Sequence, residues 1–547
     1  MSNRKLRMSA IALVLAVGLS GCVAVSNDPA PPRYDSSPTT LNIVAGSEQK
    51  TVISEIVEPW CKQQGLTCNV TFKGSVDQAR LVQSNSDDVP YDVFWFASSI
   101  WRQLGDTSNR LQDVEPTSIT PLVFAGWKSE MQNLGLTNSD VTVQQIADIV
   151  ESGKTSTWVT NPTQSNSGAM AYFAFLNGLA GNAPGAPLTE AQLNSASVQT
   201  GIKKFVQSFD STPPSTGTMM DACVEAPDRC RTMFTYEDLV IEYNQKLVAA
   251  GKEPLYAVYP KGSLAIADSP IGFYPHGENA EKKANFSKLE KFLLSDETQA
   301  KLLEYGRRPV NSIGLTLTTP PLDVFNPAWG IQTDIKEQSI TFPSSSVIEQ
   351  ALSSYQTSLR RPADTVYCID GSGSMGGNGG WDGVDKASSV LFDPVQSQQY
   401  LVQLNPADKT TVMIFNNGIK GGPWTVNGND SKDLLGLKKN IDDQGPDGGT
   451  GIYNCLKEAA GQFGPAVSDR RQLIILMTDG QDDGGGKDEA FNALTAKGIP
   501  VIAIGFGSGA DINTLEEIAR KTNGTYIAAG NSVDDVAQAL RSATAFK

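Results

Sequence analysis

Short, continuously apolar segments alternate with segments of helical periodicity along most of this 547-residue chain. Residues 41–44, 68–73 and 91–96 are predicted strands, the last of them nearly continuously apolar, and apolar residues at helical spacing lie between them. Strands that are apolar throughout are buried on both faces, which is typical of parallel sheets covered by helices. The sequence therefore predicts an α/β fold.

Composition excludes several classes of function. The net charge is −15, and such a surface repels phosphate backbones, so we expect no nucleic-acid binding. The length of 547 residues predicts about three domains or two large ones, and a content of 40% hydrophobic and 19% charged residues is enough apolar material for large cores, which excludes wholesale disorder. The single histidine, His276, argues against histidine-based catalytic triads and multi-histidine zinc sites.

The first 22 residues have the pattern of a signal peptide. A basic start is followed by an apolar run at 11–19 that is too short to span a bilayer. The run ends at Leu-Ser-Gly-Cys, which resembles the bacterial lipobox and implies lipidation of Cys22. The alternative is an ordinary secretory signal with an incidental cysteine. We expect a lipoprotein anchored on the extracytoplasmic face of the cell membrane, with 23–40 as a flexible tether.

The other six cysteines fit an oxidising compartment. Two pairs are each separated by seven positions and predict local disulfides: Cys61 with Cys68, and Cys223 with Cys230. Cys368 and Cys455 fall on a predicted strand and helix of the last domain. They either pair across the core or remain buried thiols, and the sequence does not decide between these alternatives.

Several ordered segments between residues 41 and 345 resemble bacterial extracellular solute-binding proteins of the two-lobed type. The segments are LNIVAGSE, YDVFWFASS, VTNPTQSNSGAMAYFAFL, FTYEDLVIEYN, YPKGSLAIADSPIGF and FLLSDETQAKLLEYGRRPV. The resemblance implies two lobes that close around a small polar or anionic solute. Six residues are then placed by position along the cleft: Ser47, Ser75, Ser98, Ser165, Ser167 and Tyr236.

The aromatic pair Trp95 and Phe96 is bulkier than a pocket for an oxyanion would require. If Trp95 or a neighbour fills the cleft, the domain favours adhesion or assembly. If a polar ligand shell is retained, it favours transport or sensing.

A linker at 346–363 leads to the last domain, 364–547, whose first strand ends in Asp-Gly-Ser-Gly-Ser. The carboxylate of Asp370 and the hydroxyls of Ser372 and Ser374 converge if this glycine-rich loop folds around a cation. Thr450 and Asp479 follow other predicted elements whose loops meet at the same sheet edge. These hard oxygen donors suit Mg²⁺, Mn²⁺ or Ca²⁺.

This pattern resembles the metal-ion-dependent adhesion site (MIDAS) of von Willebrand factor A (VWA) domains over the whole last domain. The resemblance implies a doubly wound, Rossmann-like sheet and a bound divalent cation whose open position accepts an acidic residue of a partner protein. The neighbouring polar residues are interpreted as a solvated rim (Asp442, Asp443, Asp447, Asp482 and Asp483) and a turn (Asn416 and Asn417).

Three functions are compatible with these features. In the first, the chain binds a protein partner through the metal, with the solute-binding-like domain as sensor or spacer. In the second, it delivers a small solute to a transporter, with the VWA domain as docking module. The third is an enzyme, which the residue inventory disfavours because no suitably placed base is present.

Overall fold

The computed structural model describes residues 34–545, with gaps at 138–139, 184, 278, 311–314, 378, 466–468, 481, 508–509 and 531. The predicted signal peptide, Cys22 and most of the tether lie outside the described residues. The last residues of the predicted tether lie on the first domain, where the Tyr34 hydroxyl donates a hydrogen bond to Asp92 (3.0 Å). No helix among the described residues is long and apolar enough to cross a membrane.

The first domain is a two-lobed α/β structure. Its strands are β1 (Thr40–Ala45), β2 (Thr67–Phe72), β3 (Val93–Trp95), β4 (Gln112–Pro116), β5 (Thr120–Trp127), β6 (Thr157–Trp158), β7 (Thr232–Tyr236), β8 (Leu255–Val258), β9 (Ile266–Ala267), β10 (Pro270–Phe273), β11 (Leu315–Thr316) and β12 (Asp334–Ile335).

Helices cover these strands. They are α1 (Lys50–Val52), α2 (Glu58–Gln63), α3 (Ser75–Ser84), α4 (Ser99–Gly105), α5 (Lys128–Asn133), α6 (Val143–Glu151), α7 (Asn166–Leu179), α8 (Glu190–Leu193), α9 (Ala196–Gln207), α10 (Thr216–Glu225), α11 (Glu237–Ala249), α12 (Ala280–Leu293) and α13 (Asp296–Glu304). Short 3₁₀ turns occupy Ser47–Gln49 and Pro327–Trp329, and a π-helical turn, Ile53–Val57, joins α1 to α2.

Each lobe is built on one mixed sheet. In the first lobe the strand order is β2-β1-β3-β10-β4, and β2, β1 and β3 are parallel as predicted. In the second lobe the order is β6-β7-β5-β8, and β5 runs antiparallel to both its neighbours. The antiparallel strands β5 and β10 directly follow the first two crossings of the chain between the lobes. Each antiparallel pair described in these two sheets involves β5 or β10.

Trp95 lies at the crossing segments and not in the cleft. Its indole N–H donates to Thr117 Oγ1 (3.0 Å) and to the carbonyl of Ser269 (3.1 Å), one residue from each crossing. The ring is 1% exposed and packs with the apolar side chains on the outer face of the first sheet. Trp95 thus holds the two crossings together.

The predicted linker contains a helix, α14 (Ser345–Ser354), followed by a π-helical turn, Tyr355–Leu359. It contacts both lobes: Arg80 pairs with Glu349 (3.0 Å), and the Tyr172 hydroxyl donates to the carbonyl of Ala351 (2.9 Å). The segment is therefore packed along the first domain.

The last domain is a doubly wound α/β sheet. Its strands are β13 (Ala363–Asp370), β14 (Lys409–Phe415), β15 (Ile419–Asn427), β16 (Arg471–Thr478), β17 (Val501–Gly505) and β18 (Thr525–Ala528). Its helices are α15 (Gly380–Phe392), α16 (Pro394–Gln399), α17 (Ser431–Asp442), α18 (Ile452–Gly461), α19 (Lys487–Lys497), α20 (Ile512–Lys521) and α21 (Val533–Ala545), with a 3₁₀ turn at Gly373–Gly376.

Strand β13 lies in the interior of the six-stranded sheet, whose order is β15-β14-β13-β16-β17-β18. All neighbours are parallel except β15, an antiparallel edge strand. Successive residues of β13 alternate between two apolar cores, with Tyr367 and Ile369 in one and Val366 and Cys368 in the other. This double burial explains why the strand is apolar throughout.

Three disulfides lie within the described residues. The two predicted local pairs are formed, Cys61–Cys68 and Cys223–Cys230. Cys368 on β13 is also bonded to Cys455 on α18, and both residues are fully buried. The last bond resolves the two alternatives for these cysteines in favour of pairing across the core.

Candidate functional site

The end of β13 places three oxygen donors side by side. The backbone N–H of Ser372 donates to Asp370 Oδ1 (2.8 Å), and the hydroxyls of Ser372 and Ser374 are 3.0 Å apart. Asp370 and Ser372 are fully buried, whereas Ser374 is exposed. The donors therefore run from the floor of the loop to its surface.

The loop that carries Thr450 is joined to the Asp370 loop by backbone hydrogen bonds. Asp447 N–H donates to the carbonyl of Gly371 (2.9 Å), and Gly373 N–H donates to the carbonyl of Gly448 (3.0 Å). Gly448 has φ +77°, a conformation that glycine adopts without strain. Thr450 is buried beside this junction, at 3% exposure.

The third loop follows β16. The hydroxyl of Thr478 donates a hydrogen bond to Asp370 Oδ2 (2.5 Å), and Asp479 is the next residue along the loop. The five predicted metal ligands thus sit on three loops at the carboxyl edge of one sheet, as expected for adjacent parallel strands.

Burial raises the pKa of Asp370, and the charge of nearby Asp479 raises it further, although hydrogen bonds from Thr478 and Ser372 lower it. No ion pair within the described part of the chain involves Asp370. A buried carboxyl next to a second carboxyl is stabilised by a cation. Two carboxylates and three hydroxyls are donors that suit Mg²⁺, Mn²⁺ or Ca²⁺, so the residues fit such an ion.

Among the described residues no group of three or more His, Cys, Asp or Glu has the arrangement of a metal site. The proposed set contains only two such residues, because its other three members are hydroxyls. Metal binding at these positions therefore stays a prediction.

Four residues that the sequence assigned to a turn or a rim support the Thr450 loop. Asp482 and Asp483 accept hydrogen bonds from the backbone N–H groups of Ile452 (2.9 Å) and Thr450 (3.3 Å). Asp482 is partly exposed and Asp483 is exposed, so both lie at a solvated rim, and these hydrogen bonds are a supporting role that the sequence did not predict.

Asn416 and Asn417 brace the same loop from the other side. The Asn416 side chain donates to Asp447 Oδ1 (3.0 Å), and Gly449 N–H donates to Asn417 Oδ1 (3.0 Å). The interpretation of this pair as only a turn is wrong, because the contacts join segments more than thirty residues apart and have no local sequence signal. The other rim residues, Asp442, Asp443 and Asp447, pair with lysines at the surface.

The candidate solute cleft lies between the two lobes, which are in direct contact. Gly217 N–H of the second lobe donates to Ser47 Oγ of the first (3.0 Å), and Val76 N–H of the first lobe donates to the carbonyl of Gln164 (3.3 Å). A Cβ added at Gly74 would lie 2.3 Å from that same carbonyl oxygen. Glycine at position 74 thus permits this close approach.

The structure brings four of the six predicted cleft residues into short polar contacts. Ser165 and Ser167 lie 3.3 and 2.8 Å from the hydroxyl of Thr216, and the Asn166 amide donates to the Tyr236 hydroxyl (2.7 Å). The fourth residue is Ser47, whose hydroxyl oxygen accepts the hydrogen bond from Gly217 N–H. Ser75 and Ser98 are buried at the starts of α3 and α4 in the first lobe.

Glu48, next to Ser47, was not predicted as a site residue. It is 6% exposed, and its Oε1 has no hydrogen-bond partner among the described residues. Burial raises the pKa of Glu48 to about 7, and the negative charge of Asp238 also raises it. The backbone N–H of Glu48 and the positive charge of Arg307 lower it. A glutamate in the first turn after a strand usually lies at the surface, so the sequence gave no signal of this burial.

Two adjacent arginines, Arg307 and Arg308, follow helix α13. Arg307 lies 3.5 Å from Asp238 and also pairs with Glu242, and Arg308 pairs with Glu237 (2.7 Å). Both arginines are fully buried. They connect the segment after α13 with helix α11 of the second lobe, which makes them structural parts of the lobe junction.

Family models match both domains. Residues 41–308 match the bacterial extracellular solute-binding protein family, and residues 364–541 match the von Willebrand factor type A domain. The chain therefore carries an extracellular solute-binding domain followed by a VWA domain. The family of the first domain fits an extracytoplasmic protein.

One curated relative is an uncharacterized protein of Synechocystis sp. (strain ATCC 27184 / PCC 6803 / Kazusa), 25% identical over 169 residues. That alignment covers 30% of this chain and 37% of the relative, so the chain spans little more than a third of the relative's length.

Similar solved structures are periplasmic binding proteins. The periplasmic binding protein P5PA is 13% identical with a TM-score of 0.41, and the match covers 56% of this chain and 94% of that one. Iron-bound HitA from Pseudomonas aeruginosa is 12% identical with a TM-score of 0.40, covering 57% and 97%. The domain assignment rests on the family models and not on these low scores.

We predict that Glu48 makes the first domain less stable as pH rises. Its pKa is about 7 in the folded chain and about 4.5 when exposed, so the folded state holds the proton more tightly. The contribution of Glu48 to stability is then fully present below pH 4.5 and is lost as pH rises to 7 and above, by about 3 kcal/mol. The measurement is thermal unfolding of the first domain's transition between pH 4 and 8.

Glu48→Gln should remove most of this pH dependence, and Glu55→Gln, an exposed glutamate of the same segment, should keep it. Equal slopes for Glu48→Gln and the unaltered chain would show that Glu48 is not the titrating group.

Proposed function

We propose that this chain is a membrane-anchored extracytoplasmic binding protein. Its VWA domain binds an acidic group of a partner protein through a divalent cation, and its solute-binding domain acts as a sensor. The observation that carries the proposal is the convergence of Asp370, the Ser372 and Ser374 hydroxyls and the Thr450 and Asp479 loops at one sheet edge.

The proposed metal site needs loops that are held in place before the ion binds. Hydrogen bonds between the loops support the proposal in this respect. Asp370 and Asp479 would supply charge, and the three hydroxyls would supply neutral oxygens. When bound, the cation supplies an electrophilic position that a carboxylate of the partner can occupy. The bracing residues Asn417 and Asp483 hold the Thr450 loop in place, so that the loop does not have to order when the ion binds.

The cleft supports a sensor role over a mere spacer. Trp95 lies at the crossings, and polar contacts pass directly between the lobes: Gly217 N–H donates to Ser47 Oγ (3.0 Å), and the buried Trp101 indole N–H donates to Asn166 Oδ1 (2.6 Å). The same polar groups favour a second candidate, a solute receptor for a transporter. The two candidates differ because only the first requires the metal for its main interaction.

We propose that both interactions are binding and not catalysis. His276, the single histidine, packs against Tyr34 in a tilted arrangement with ring centroids 4.5 Å apart, and its Nε2 lies 2.9 Å from the carbonyl oxygen of Tyr91. It belongs to the surface of the first lobe and lies on neither candidate site's loops. This placement supports the proposal because it leaves both sites without an imidazole base.

Calorimetric titration of residues 23–547 with Mg²⁺, Mn²⁺ and Ca²⁺ tests the metal site. We expect one site in the unaltered chain and a loss of affinity greater than about 100-fold in Asp370→Ala, because changes to outer contacts of metal ligands already cost about 10–100-fold. Asp442→Asn is the matched control, since Asp442 is 41% exposed and pairs with Lys438 one turn away on its own helix, α17. It should bind the ions almost normally.

Equal affinity in Asp370→Ala would contradict the proposed metal site. If the metal binds as expected, capture of envelope proteins in Mg²⁺ and in EDTA tests the partner. A partner that is retained equally in EDTA would favour the transport candidate.

Lipid anchoring is tested by Cys22→Ser. We expect the variant to move from the membrane fraction to the soluble extracytoplasmic fraction, because the acyl chains would no longer be attached. Mass spectrometry of the unaltered protein should show a diacylated N-terminal cysteine. Membrane retention of the variant would contradict the anchor.

A further inference from the structure

The last helix of the VWA domain, α21, lies across the line where the two lobes of the solute-binding domain meet. Lys73 of the first lobe pairs with Asp535 (2.9 Å) and donates to Gln538 Oε1 (2.6 Å). Gln164 of the second lobe donates to Ser542 Oγ (2.9 Å). One helix thus makes polar contacts with both lobes.

A second ion pair lies deeper in the same contact. Arg541 of α21 pairs with Asp77 on α3, and the two side chains are 2% and 6% exposed. Lys73 and Asp535 are also mostly buried, at 8% and 13%. Buried pairs of this kind are costly to break, because each separated charge would lack its partner.

These contacts flank the place where the lobes touch. Lys73 and Asp77 lie on either side of Gly74 and Val76, and both of these approach the carbonyl of Gln164. Gln164 is also the second-lobe residue that contacts α21. Moving the lobes apart would separate Lys73 and Asp77 from Gln164, so α21 could not keep both sets of contacts.

We propose that α21 is a strap that holds the solute cleft closed, so that solute exchange requires release of this helix from at least one lobe. This inference goes beyond the proposed function, since it depends on neither the metal nor the partner. A solute that stabilises the closed lobes strengthens the docking of α21, and by reciprocity α21 docking strengthens solute retention.

The consequence is that occupancy of the cleft is communicated to the VWA domain through a physical contact. A solute that holds the lobes apart would free the polar face of α21. The helix then exists in two positions, docked and released, whose balance the cleft sets.

Hydrogen exchange of the full extracytoplasmic chain tests the strap. The amides of Val76 and Gly217 report on lobe contact, because each donates a hydrogen bond across the cleft. Lys73→Glu places a like charge beside Asp535, and we expect these two amides to exchange faster by on the order of tenfold. Amides of strand β13 should remain protected, which shows that the VWA domain is folded.

The double variant Lys73→Glu with Asp535→Lys reverses the pair and should restore slow exchange at both amides. Lys487→Met is the matched control, because it removes the VWA ion pair with Glu517, which is not part of the contact with the lobes. It should leave exchange at Val76 and Gly217 unchanged.

Unchanged exchange at Val76 and Gly217 in Lys73→Glu would overturn the strap. Faster exchange that the charge-swapped double variant does not reverse would also overturn it, because the effect would then come from damage to the first lobe alone. Neither result depends on metal binding, so failure of the strap and failure of the proposed function remain distinguishable.

Discussion

The arrangement of the loops at the carboxyl edge of the VWA sheet depends on the buried carboxyl of Asp370 at the end of β13. A carboxyl in this position must be hydrogen-bonded or compensated by charge. The Ser372 amide and the Thr478 hydroxyl meet the first requirement, and each belongs to a different loop. The loops are therefore fixed relative to one another around a single acidic group, with Asp479 beside it as a second acid.

The same principle applies at the junction of the lobes. Arg307 and Arg308 are fully buried and stay so because carboxylates of α11 face them. Glu48 is the exception, with an unpartnered oxygen and a pKa raised by burial to about 7. The closed arrangement therefore buries a carboxyl oxygen that has no hydrogen-bond partner among the described residues, while α21 adds two ion pairs with the first lobe and a hydrogen bond with the second.

Much of this architecture was predictable because it follows from periodicity. The parallel strands of both domains and the doubly wound sheet follow from apolar runs between helices, and the structure confirms them. The Asp-x-Ser-x-Ser loop was found because its residues are contiguous. Thr450 and Asp479 were placed with it because carboxyl ends of neighbouring parallel strands meet at one edge.

The missed features all depend on contacts between distant segments. Asn417 and Asp483 brace the Thr450 loop from more than thirty residues away on either side, and no spacing rule links them. Trp95 was judged by its bulk beside the expected ligand loop, but its indole N–H is directed to the chain crossings. The contact of α21 with both lobes likewise depends on the docking of two domains, about which each domain's own sequence pattern says nothing.

The most direct test of the central claim is the anomalous scattering of Mn²⁺ in crystals of the full extracytoplasmic chain. The account predicts one strong peak within coordination distance of the oxygens of Asp370, Ser372 and Ser374, beside the Thr450 and Asp479 loops. A peak elsewhere, or none at Mn²⁺ concentrations that saturate binding in solution, would contradict the claim that these loops were built to hold a divalent cation.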